Sequence, residues 1–167
     1  MHHEKPLPKP NADTKPFWAG CREHKLTFQK CLACDHVRWP PSILCPLCHS
    51  SETDWIIAGG KGRVYSYAVY HIPFHPAFKG DVPYVTAVVK LDEGPRFLTN
   101  IVECDPDDVT CDMPVEVQWE DVTEEISLPK FRPIPDDPIE ASRGMLKGKT
   151  SPVKALLRDR EEEAKRG

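Results

Sequence analysis

The sequence predicts a mainly β protein: a metal-clasped ribbon followed by a small barrel, framed by a short leading helix and an extended tail. Three observations carry this. Four of the seven cysteines fall inside eighteen residues as two Cys-x-x-Cys pairs, CLAC at 31–34 and CPLC at 45–48. Between residues 63 and 131, runs rich in β-branched and aromatic residues follow one another with no helical pattern between them. Most of the eighteen prolines crowd residues 1–16, the clasp and the chain after Asp105, where they deny long regular elements.

The elements read in order as follows. Residues 1–16 carry four prolines, three lysines and no apolar periodicity, the composition of a flexible or extended arm. Residues 17–54 hold a short helix leading into a strand, where Leu26 and Phe28 alternate with polar residues and deliver the first cysteine pair. An apolar run opens at Trp55 and breaks at Gly59-Gly60-Lys61-Gly62, a turn that needs backbone freedom. Strands are expected over 63–72, 83–91, 96–103, 115–122 and 126–131. A tight turn at 92–94 joins two of them. In the strand over 115–122, Val115, Val117 and Trp119 face inward and Glu116, Gln118 and Glu120 face outward. Five or six antiparallel strands over 55–132 suit a small barrel, because closure removes the exposed edges of such short strands. Residues 133–167 form an extended tail, with Ser151 and Pro152 as N-cap and first residue of a terminal helix. That helix carries only Val153, Leu156 and Leu157 as an apolar stripe, too thin to fold unsupported.

At 167 residues, 40% of them hydrophobic, the chain has room for one medium domain or a small module beside a modest one. The sequence has no apolar run near eighteen residues and no secretory h-region at its start, so a cytoplasmic, non-membrane protein is expected. In that reducing setting, paired cysteine motifs read as metal ligands before disulfides. The net charge of −4 is unevenly spread. Residues 103–137 hold twelve acids against two bases, and residues 143–167 hold eight bases against four acids. An acidic body argues against broad contact with a phosphate backbone, so nucleic acid is not the expected partner.

Cys31, Cys34, Cys45 and Cys48 are the predicted metal ligands. Each Cys-x-x-Cys places two sulfurs of one tight knuckle on the same ion, and two knuckles complete the tetrahedron that structural zinc prefers. One structural Zn²⁺ per chain follows. A closed four-sulfur sphere has no open position for chemistry, so the clasp is a fastener. A redox dithiol explains one pair but not two, and an iron carrier has no need of a barrel. Cys21, Cys104 and Cys111 have no recognisable activating context and read as small hydrophobes.

An ordered string of residues resembles a known family. It runs Trp18-x-Gly20, Leu26, CLAC, Pro40-Pro41, CPLC with His49-Ser50, Trp55, Gly60-x-Gly62-x-Val64-Tyr65-Ser66, Pro83-Tyr84 and Leu91-Asp92-Glu93-Gly94, over roughly residues 17–132. This is similar to the acyl-CoA-associated proteins that join an N-terminal helix and a rubredoxin-like zinc ribbon to a five-stranded OB-fold. Asp35 and His49 depart from the family's usual glycine after each knuckle.

The resemblance implies a non-catalytic small subunit in a stable hetero-oligomer, two small and two large subunits. The partner would be a thiolase-like catalytic subunit that acts on β-ketoacyl-CoA by acyl transfer to CoA. The tail after Arg132 is similar to that of small subunits in thiolases of anaerobic aromatic degradation, which act on benzoylsuccinyl-CoA. No catalytic residue is expected in this chain. Residues that could border a CoA channel or meet the partner are Phe74, His75, Phe78 and Lys79 in the loop over 71–84, with Lys61 and Arg63 in the preceding turn and strand. Rings would stack on adenine and cations would meet phosphates. The alternative is a single-stranded nucleic-acid-binding zinc-ribbon/OB-fold protein, which the acidic second half of the barrel disfavours.

Overall fold

The computed structural model describes residues 5–134. The tail expected beyond Ile134, with its helix at Ser151, lies outside the described residues. Helix α1 spans Lys15–Arg22, starting two residues before the expected position. Pro16 lies in its first turn, where a missing N–H costs nothing, and Arg22 sits in its last turn, where a cation suits the helix dipole. It buries Phe17 and Cys21. A methyl group on Gly20 would meet Thr27 Oγ1 at 2.8 Å, so α1 lies directly on the next strand. The arm before it, expected to be flexible or extended, carries no helix or strand over residues 5–14 and is tied at two points. Asn11 and Thr14 exchange backbone and side-chain hydrogen bonds, and Lys5 ion-pairs with Asp81 at 2.5 Å.

Three strands form the ribbon: β1 (Thr27–Cys31), β2 (Val37–Arg38) and β3 (Thr53–Ile57), in the order β2-β1-β3, all antiparallel. The boundary expected at 54/55 falls inside β3, whose pairing with β1 runs on to Thr27↔Ile57.

Five strands close the barrel: β4 (Lys61–Tyr70), β5 (Tyr84–Leu91), β6 (Arg96–Ile101), β7 (Pro114–Asp121) and β8 (Ser127–Pro133). Their order is β4-β5-β6-β8-β7, with β7 returning to β4. The expectation of antiparallel pairing throughout fails at one seam, where β6 meets β8 in parallel through Ile101↔Phe131. The chain reaches that seam after a long excursion that includes β7, as a parallel pair requires. Gly60 (φ +74°) makes the entry to β4, and a Cβ there would strike Val117 Cγ1 at 2.5 Å.

Val64, Val85, Ala87, Val89, Leu91, Phe97, Ile101, Val115 and Phe131 fill the barrel. Trp119 is only partly buried and stacks on His24, with ring centres 5.2 Å apart. Ribbon and barrel share one core. Phe17 lies 4.1 Å from Trp39 of the ribbon and 5.7 Å from Phe97 of the barrel, centre to centre. Phe28 and Trp39 lie 5.9 Å and 5.6 Å from Phe97. Each such ring, fully buried, is worth about 1.5–3 kcal/mol over leaving it in water. Among the described residues, no helix is long and apolar enough to cross a membrane.

Candidate functional site

The two knuckles are built alike. Cys31 N–H donates to His36 O and Asp35 N–H donates to Cys31 O. Cys45 N–H donates to Ser50 O and His49 N–H donates to Cys45 O. Each loop closes through a residue in the left-handed region, Asp35 at φ 58° and His49 at φ 60°. Both positions are those the sequence marked as glycine elsewhere, and the reason is now visible: a right-handed backbone there would open the knuckle.

The four sulfurs of Cys31, Cys34, Cys45 and Cys48 lie within 4.8 Å of one another. Across the two knuckles, Cys31 Sγ is 3.5 Å from Cys48 Sγ and Cys34 Sγ is 3.6 Å from Cys45 Sγ. A tetrahedron of sulfurs about 2.3 Å from zinc has edges of about 3.8 Å. The donor set and its spacing therefore fit one structural zinc. Electrostatics agree. The Cys48 amide, with that of Leu47 behind it, outweighs burial and holds the Cys45 thiol down to about 6. The His36 amide pulls Cys34 down, but its sulfur contacts with Cys48, Cys45 and Cys31, together with burial, push it up to about 12. Cys45 is thus poised as a thiolate, whereas the crowding of sulfurs around Cys34 is the repulsion that a bound cation would relieve.

Arg38 ties the arms of the clasp together and was not singled out by sequence. It is 4% exposed, its Nε donates to Gln29 Oε1 at 2.8 Å and its Nη2 to Ser42 O at 2.9 Å. Ser42 N–H also donates to Gln29 Oε1, at 2.9 Å. Gln29 leads into the first knuckle and Ser42 into the second, so one guanidinium sets their separation. Apolar side chains crown the clasp: Leu32, Ile43, Leu44 and Leu47 are all exposed.

The other candidate residues do not form one group. Phe74, His75, Phe78 and Lys79 lie in the loop after β4, while Lys61 and Arg63 lie at the start of β4. Arg63 and Tyr70 lie seven residue steps apart along β4, about 23 Å of extended chain. In the loop, Tyr70, Phe74, Phe78 and Tyr84 pack as an aromatic cluster, with Tyr70 and Tyr84 stacked at 5.1 Å. His75 Nδ1 accepts from Ala77 N–H and so caps a single 3₁₀ turn. Lys5 stands 5.5 Å above the Phe78 ring. At the opposite end, Arg63 Nη1 donates to Asp112 O at 2.8 Å.

Comparison with known proteins gives the following likenesses. Two family models match: the rubredoxin-like zinc ribbon domain of ChsH2 over residues 18–54, and the C-terminal OB-fold domain of ChsH2 over residues 55–120. A probable enoyl-CoA hydratase alpha subunit of Thermomonospora curvata is 43% identical over 129 residues, covering 77% of this chain and 40% of that subunit. This chain thus spans about two fifths of the length of that relative. A DUF35 domain-containing scaffold protein of Methanothermobacter thermautotrophicus is 40% identical over 105 residues, covering 62% of this chain and 78% of the scaffold protein. Among solved structures, a chain of the Ltp2-ChsH2(DUF35) aldolase superposes with a TM-score of 0.70 at 42% identity, covering 76% of this chain and 98% of that one.

Proposed function

Because this chain belongs to the acyl-CoA-associated DUF35 family, with a ChsH2-type zinc ribbon and OB-fold, we propose that it is the non-catalytic subunit of a thiolase-type complex. In this reading the large subunit carries out the carbon–carbon chemistry on a β-ketoacyl-CoA, and this chain holds that subunit in its working assembly and borders its CoA channel. Two copies of each subunit make the complex, in the cytoplasm, and the acyl group is the aromatic one of benzoylsuccinyl-CoA. The observation that carries the proposal is the four-cysteine centre. It fits a closed, coordinatively complete metal, which fastens a docking body and leaves no position for a substrate. Relatives named as a scaffold and as an enzyme subunit support the same role.

A second reading is favoured by the name of the solved relative, which is an aldolase. The two separate cleanly. A thiolase complex cleaves a β-ketoacyl-CoA and consumes free CoA, whereas an aldolase complex cleaves a β-hydroxyacyl-CoA and consumes none. Tagged full-length chain expressed with a thiolase-like large subunit should co-purify with it at fixed stoichiometry, and the pair should turn over one of these substrates. A chain that stays monomeric beside such a subunit contradicts the proposal.

A further inference from the structure

Three cations stand side by side on the outer face of the barrel. The register pairs Arg63 of β4 with Lys90 of β5, and Lys90 with Arg96 of β6. All three are exposed, and neighbouring strands set them about 5 Å apart, a row about 10 Å long. Like charges directly opposite one another oppose sheet pairing. Among the described residues, none of the three has an ion-pair partner within 4.0 Å, so nothing described offsets their mutual repulsion.

The row is also oriented. The Arg63 guanidinium is anchored by its bond to the Asp112 carbonyl. A bulge between Val64 and Ser66 lies at Tyr65, whose ring reaches across β5 to lie 3.8 Å from the Arg96 guanidinium. Stacking there fixes the plane of the guanidinium and leaves its N–H edge free. Beside the row, on the same face, the exposed Tyr65 ring and Leu98 present flat and apolar surface.

We infer that the Arg63–Lys90–Arg96 row is a binding site for a phosphorylated small molecule carrying at least two negative charges, such as a diphosphate or bisphosphate group. A single carboxylate is satisfied by one arginine, and an exposed row of three unpaired cations exceeds that need. Two oriented guanidinium forks flanking an ammonium match the many acceptor oxygens of clustered phosphates. For the identity of the molecule bearing those phosphates, the inference rests on the acyl-CoA reading. For the row itself it does not.

The test is calorimetric titration of the zinc-loaded full-length chain, without any partner, using inorganic pyrophosphate, ADP and adenosine. Pyrophosphate and ADP should bind, and adenosine should not. Equal affinity for the two would assign the site to phosphate alone; tighter ADP binding would assign it to a nucleotide-bearing ligand that also uses Leu98 beside the row. Arg63→Gln, Lys90→Gln and Arg96→Gln should each weaken binding about tenfold or more, and Lys130→Gln on β8 should leave it unchanged. Melting temperature should hold steady or rise in Lys90→Gln, which relieves repulsion and gives up no described side-chain contact, whereas a merely structural role would lower it. No binding of either phosphate, or row variants that bind like the parent, overturns the inference. Neither result touches the subunit proposal, which co-purification decides.

Discussion

The clasp and the barrel sit against one another yet are held by different forces. Over residues 31–50 only Cys31, Arg38 and Cys45 are buried, and the apolar side chains of Leu32, Ile43, Leu44 and Leu47 face outward. The barrel, by contrast, buries nine aliphatic and aromatic side chains from all five strands. One region has almost no core and needs a metal to close it. The other is filled by its own strands, shares only the aromatic seam around Phe97 with its neighbour, and needs no metal. Apolar residues that a small domain would normally bury are thereby left on the clasp surface, where a partner can use them.

The sharpest way to break this contrast is to remove the metal. Cys45→Ser, or a strong chelator, should melt residues 31–50, because zinc binding supplies on the order of 10 kcal/mol to such modules. The expected readout is zinc release together with changed Trp39 and Trp55 fluorescence, while most of the barrel's β signal in far-ultraviolet circular dichroism survives. A clasp that keeps its fluorescence without zinc would refute the contrast. Next in size is Phe97→Ala, which empties the ring shared by barrel and ribbon and should cost about 3–5 kcal/mol in urea unfolding. Zinc content per folded molecule should stay at one, since no ligand moves.

A smaller, opposite effect is expected at His49, held at φ 60°. His49→Gly relieves that backbone and should stabilise the chain by about 1 kcal/mol, measured as a rise in the midpoint for metal loss. The weakest prediction concerns the contact between the α1–β1 connection and β7 of the barrel. The hydrogen bond from His24, and a second from Ser127, hold the Asp121 carboxyl below its ordinary 3.8. A depressed folded value gives stability that is present above pH 3.8 and lost as pH falls through the lower folded value. Both groups are exposed, so the effect is small. His24→Ala should flatten the dependence of melting temperature on pH in that acid range and leave it unchanged near neutrality.

How much of this was legible beforehand depended on whether the constraint was local. Cys-x-x-Cys spacing fixes a knuckle by chain geometry, so the ligands could be read directly, whereas the special backbone at Asp35 and His49 was signalled only by the glycine usual there in the family that the chain resembles. The strands from Lys61 onward announced themselves through β-branched and aromatic runs. What failed was non-local. The parallel seam at Ile101↔Phe131 is a property of barrel closure that no short window contains. The family models divide the chain at the same 54/55 boundary that the sequence suggested, while the pairing of β3 with β1 carries the ribbon sheet on to Ile57, which no short window contains. The grouping of Lys61 and Arg63 with Phe74, His75, Phe78 and Lys79 ignored the length of the strand between them. Lys90 and Arg96 were overlooked, though a signal existed: the hairpin through Leu91-Asp92-Glu93-Gly94-Pro95 must set residue 90 beside residue 96. Arg38 gave no signal, since nothing in a short Val-Arg-Trp stretch says that its charge will be buried.

The account as a whole turns on where the carbon–carbon chemistry resides. The direct measurement is the rate of β-ketoacyl-CoA cleavage by the purified, zinc-loaded chain alone and again after addition of a thiolase-like large subunit. No turnover alone and turnover on addition is the predicted result. Cleavage by the isolated chain would contradict it.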